Sequence, residues 1–114
     1  MPVKTFIVDY YRTRMGFKQS ATFSGTRADI QGHIVCHGDH HRFIIYFVHP
    51  DSPTPQPYFH PSIKIGTIFL PFAHMTSYLD MLRNEKPIYA YLNSSKPEWN
   101  CLRTSNEPVG EEES

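Results

Sequence analysis

The chain has 114 residues, 39% of them hydrophobic and 19% charged, with a formal net charge of zero and a sequence pI of about 7.1. That length makes one domain burying about two-thirds of its unfolded surface, and it holds no apolar run of the roughly 20 residues that would span a bilayer. The N-terminus, MPVKTFIVDYYRTR, lacks a secretory pattern, and Cys36 and Cys101 are too few for a disulfide framework. Two reduced thiols in a cytoplasmic protein are therefore expected.

Residues 3–12 (VKTFIVDYYR) alternate as one strand, with Phe6, Val8 and Tyr10 on one face and Thr5, Ile7, Asp9 and Tyr11 on the other. Residues 15–26 are ambiguous; Phe17, Gln19, Ala21 and Phe23 would line a second strand that ends in a Ser24-Gly25 turn. Residues 30–37 and 40–48 are rich in β-branched and aromatic side chains and predict a hairpin, with Gly38 taking the positive φ of a type II′ turn. Residues 49–61, HPDSPTPQPYFHP, carry five prolines in 13 residues. Each removes a backbone donor, so the segment reads as a stiff loop.

Residues 63–70 (IKIGTIFL) form another strand, and Pro71 opens a helix at 72–84. Phe72, Met75, Leu79 and Leu82 form its buried stripe, Asp80 and Arg83 can pair on its outer side, and Asn84 and Pro87 close it. Strands at 88–92 and 99–103, joined by NSSKPE, complete the fold; Trp99 and Cys101 would share the core face of the last one. Residues 107–114 (EPVGEEES) hold four glutamates and no base, and are expected to be a mobile acidic tail on a domain of residues 1–106. The sum predicts an α+β domain, a mostly antiparallel sheet of five to six strands with one helix packed on it. Its element order resembles that of OB-type barrels with one strand too many, so a partly open barrel is one form it can take.

Four of the seven histidines and one cysteine crowd into HIVCHGDHHRFIIYF, residues 33–47. With Gly38 and Asp39 as the turn, His37 faces His40 and Cys36 faces His41. The pleat then sends these pairs to opposite sides of the sheet. Four ligands cannot meet at one tetrahedral zinc in that arrangement, and no structural-zinc spacing is present, so no metal or other cofactor is expected. A Cys-His nucleophile would need an exposed thiol, whereas Cys36 falls among Ile34, Phe43, Ile45 and Phe47 on the apolar face. Catalysis could then rest only on His37, His40 and Asp39, and the balance leans against an enzyme.

The other face carries His33, His37, His40, Arg42 and Tyr46, with Tyr89 and Tyr91 as an extension of it. Lys4, Arg12, Arg14, Lys18 and Arg27 outnumber the single Asp9 in residues 1–28, a net of +4, and are candidate anion-binding groups. Rings beside guanidiniums suit a protein partner, another copy of the chain included, or single-stranded nucleic acid. The neutral pI ranks the protein partner first, because dedicated nucleic-acid binders are usually basic. The plain alternative is that the helix or another subunit covers this face.

Overall fold

The computed structural model describes residues 2–104, the side chain of Phe17 excepted. The acidic segment 107–114 and the Phe17 side chain lie outside the described residues. Among the described residues, eight strands fall into two sheets. The larger contains β2 (Tyr10–Phe23), β3 (Thr26–Gly38), β4 (His41–Val48), β5 (Tyr58–His60) and β6 (Ile65–Pro71), in the order β2-β3-β4-β6-β5. The smaller has β7 (Tyr89–Asn93) between β1 (Val3–Ile7) and β8 (Cys101–Arg103). All pairings are antiparallel except β4 with β6. A 3-10 turn, Phe72–His74, runs into the helix α1 (Met75–Asn84). The fold is α+β, and its strands lie in two sheets rather than around one closed barrel.

The predicted strand 3–12 is divided between the sheets. Val8 N–H donates to Ile88 O at 2.9 Å and Asp9 N–H donates to His37 O at 2.8 Å, so two residues carry the chain from one sheet to the other. Phe6 stays in the core and Tyr10 does not. The ambiguous stretch is strand, and its turn is as expected, with Ser24 at φ 49° and Gly25 at φ 85°. The proline segment is loop except at its end, where Tyr58–His60 pairs with the edge of β6. Trp99 lies in a second 3-10 turn, Pro97–Trp99, beneath the Lys96 ammonium, and so does not share a strand face with Cys101.

One layer of the core is the face of the large sheet that carries Ile34, Cys36, Phe43, Ile45, Phe47 and Ile68. The other layer combines α1, through Met75, Leu79 and Leu82, with Phe6, Ala90 and Leu92 of the small sheet. Helix and small sheet thus cover the same side. Gly32 marks the helix contact, since a Cβ there would sit 2.7 Å from the Met75 sulfur. Among the described residues the ion pairs are Lys4–Asp39 and His49–Asp51, so Asp80 and Arg83 do not pair.

One buried polar side chain joins the layers. Asn100 is 4% exposed; its Nδ2 donates to the carbonyls of Tyr58 and Thr67, both at 3.0 Å, and its Oδ1 accepts from Asn93 N–H at 2.8 Å. It hydrogen-bonds three backbone groups at the seam between the sheets.

Candidate binding face

The turn at the centre of the histidine cluster lies one residue further along the chain than expected. Gly38 pairs with His41, His37 with Arg42 and Cys36 with Phe43, so the two loop residues are Asp39 and His40. Both have positive φ, 46° and 62°, as a type I′ turn requires. Gly38 is needed for a different reason: a Cβ there would lie 1.9 Å from the Ile7 carbonyl oxygen, where β1 crosses the hairpin. Partners move by two positions, an even step, so every side chain stays on the face the pleat assigned to it. His40 leaves the strand face for the turn.

The cluster is thereby dispersed. Cys36 is fully buried, and burial pushes its thiol up to about 12, which removes it as a nucleophile. The His41 ring sits on the core side, with centroids 5.8 Å from Phe6 and 6.3 Å from Phe59, and its Nδ1 lies 2.7 Å from the Asp39 carbonyl oxygen. His37 faces the other way. Among the described residues no three His, Cys, Asp or Glu side chains converge as metal ligands.

On the side of the large sheet away from the core, register aligns side chains in three rows across the strands. The row nearest the hairpin runs Tyr10, His37, Arg42, Ile65, His60. The next runs Arg12, Val35, Ile44, Thr67, Tyr58, and the third runs Arg14, His33, Tyr46, Phe69. A bulge at Gln31, where residues 30–32 oppose only Phe47 and Val48, then turns Ala28 and Ile30 to this side. There they form a small second cluster with Phe23, Val48 and the stacked Tyr46 and Phe69 rings, 5.2 Å apart. α1 and the small sheet both pack on the core side; in these rows Tyr10, Arg12, Arg14, Arg42 and His60 are exposed, whereas Val35, Thr67 and Phe69 are buried.

The face is cationic and ringed. Tyr10 stacks on His37 at 4.5 Å and Tyr58 on His60 at 4.4 Å, at opposite edges of the sheet. Arg12 Nε donates to His37 Nε2 at 3.2 Å. Burial, and then Arg12 and Arg42, hold the His37 imidazole below the ordinary 6.5; burial, Arg14 and Arg12 do the same for His33. The positive charge near neutrality therefore belongs to Arg12, Arg14 and Arg42. None of the three rows contains Asp or Glu. The nearest carboxylates, Asp9 and Asp39, rim a cleft of about 490 Å³ at the hairpin end, and Lys4 engages Asp39, holding its carboxyl below the usual range.

The sequence-predicted residues divide accordingly. His33, His37, Arg42 and Tyr46 come together, joined by Arg12 and Arg14. Tyr89 and Tyr91 do not extend the face, because they belong to β7 in the other sheet. Tyr91 is buried there beneath the Arg103 guanidinium, 4.9 Å from its centroid. Lys4 is committed to Asp39, and Arg27, next to Ala28 on the strand, points to the opposite side. Lys18 is exposed in the irregular stretch between Met15 and Gln19. Sequence reasoning missed Tyr10, grouped with Phe6 before the chain's change of sheet was known, and Tyr58 and His60, whose alternation sits inside a proline-rich segment.

Compared with known proteins, the chain matches no family model, no curated protein and no solved structure.

Proposed function

We propose that this protein is a binding module that uses the outer face of its five-stranded sheet to hold an anionic macromolecule. One observation carries the reading: Arg12, Arg14 and Arg42 stand exposed among stacked rings on a face whose rows contain no Asp or Glu. Guanidiniums beside rings bind carboxylate or phosphate groups while their planes stack, so the face suits an acidic protein surface or a nucleic acid. A catalytic role has less support, since Cys36 is buried with a raised pKa and the histidines are dispersed. Cys36 and Cys101, both held as thiols, fit residence in the reducing cytoplasm.

Heparin chromatography tests the reading without presupposing the partner. The double substitution Arg12→Glu, Arg42→Glu should elute at clearly lower salt than the native chain, with unchanged circular dichroism. Equal elution, or retention lost equally by Arg83→Glu on α1 at the other side of the sheet, would remove the face from consideration.

A further inference from the structure

We infer that the occupant of this face is a single-stranded nucleic acid, an inference that rests on the anionic-partner reading above and narrows it. The neutral pI argues against nucleic acid only if charge is spread evenly, and it is not. Seven of the eleven acidic residues lie at positions 80–114, outside the large sheet's strands, and four of those are in 107–114. The face itself is positive. What distinguishes a nucleic-acid strand from an acidic peptide is the need for both phosphate contacts and flat surfaces for bases, and the face supplies both in register.

The two stacked pairs, Tyr10 on His37 and Tyr58 on His60, stand at opposite edges of one sheet. Four strand spacings of ~4.8 Å separate β2 from β5, so Tyr10 lies roughly 19 Å across the sheet from the Tyr58–His60 pair. Arg42 lies between them in the hairpin-end row, and Arg12 and Arg14 follow along β2. Tyr10 is 58% exposed, so its ring is open to a base. A strand crossing from β2 to β5 would meet a ring, a guanidinium and a second ring in turn. A duplex hides its bases from such rings, so it should bind less well. Stacking on rings is also tolerant of sequence, which predicts little base preference.

The test is fluorescence anisotropy of a labelled oligothymidylate of about 12 nucleotides, within the span that single-strand modules cover. The native chain should bind it more tightly than a duplex of equal length. Log affinity should fall against log salt with a slope of about −2, as expected for three phosphate contacts. Tyr10→Ala should weaken binding by roughly 5- to 100-fold, the range for loss of one stacked base. Arg42→Ala should lower the salt slope by about 0.7. Thermal midpoints of both variants establish that they fold, and Tyr10→Phe, which keeps the ring, should restore binding. If the oligonucleotide is not bound while heparin retention still depends on Arg12 and Arg42, the nucleic-acid inference fails and the anionic face stands. Polyglutamate bound as tightly as the oligonucleotide, or a duplex bound equally well, would likewise overturn it. Oligonucleotide binding indifferent to Tyr10 and Arg42 would overturn both readings together.

Discussion

Gly38 and Asn100 are the positions where one side chain decides most. An alanine methyl at position 38 would meet the Ile7 backbone carbonyl at 1.9 Å, and backbone cannot turn aside as a side-chain tip can. Gly38→Ala should cost ~1–3 kcal/mol or more in urea unfolding; an unchanged midpoint would mean that β1 does not cross the hairpin this closely. Asn100→Leu has nearly the right volume but removes the hydrogen bonds to the Asn93 N–H and to the Tyr58 and Thr67 carbonyls. A loss of ~1–3 kcal/mol in urea unfolding is expected. Asn100→Asp separates the two halves of the network, because it keeps the acceptor for Asn93 and removes the donor to both carbonyls.

The face histidines make a residue-scale prediction in pH. His33 and His37 both titrate below their ordinary value of 6.5, so the folded state resists protonating them more than the unfolded state does. Their contribution is present above pH 6.5 and is lost as pH falls through the lower folded values. The thermal midpoint should decline on going from pH 7.5 toward 5.5, and His33→Gln, His37→Gln should flatten that decline. A midpoint that rises with acid would contradict the burial, and the neighbouring arginines, assigned to these rings.

Among the elements, α1 tests the packing on the core side. Leu79 is buried in the main cluster, so Leu79→Ala should cost ~2–5 kcal/mol. Asp80 is exposed and has no ion-pair partner among the described residues, so Asp80→Ala should stay within ~0.5 kcal/mol. Equal losses would mean the helix is rotated. In the large sheet, β3 and β4 are paired on both sides, whereas β2 is an edge strand interrupted between Met15 and Gln19. Hydrogen exchange should therefore be slowest around Ile34 and Ile45 and faster along the outward-facing amides of β2.

For the whole molecule, the arrangement of layers matters more than any single residue. The helix and the small sheet share one side of the large sheet, which leaves its other side to arginines, rings and a minor apolar cluster. The exposed side chains of Tyr10, Arg12 and Arg42 bury little apolar surface and so contribute modestly to stability, which leaves them free for contact with a partner. Substitutions at Arg12, Arg42 and Tyr10 should accordingly affect binding more than folding. Large losses of stability at all three would make the rows a structural layer and not a docking surface.

The sequence by itself determined what depends on neighbours along the chain. Alternation assigned Ile34, Cys36, Phe43, Ile45 and Phe47 to the core and His33, His37, Arg42 and Tyr46 to the other side, and three-and-four spacing placed the helix at 72–84. A strand has a period of two, so even the misjudged hairpin register left those faces intact. Tertiary structure alone decided what depends on meetings across the fold. It moved the chain between sheets at Val8–Asp9, which freed Tyr10 for the face and assigned Tyr89 and Tyr91 to the other sheet. It also recruited the end of the proline loop as an edge strand, bringing in Tyr58 and His60. Gly38 is fixed by a carbonyl 31 positions earlier and Asn100 by backbone groups on β5 and β6. No local pattern encodes such contacts, because the partner that makes the residue necessary is distant in sequence and adjacent only in space.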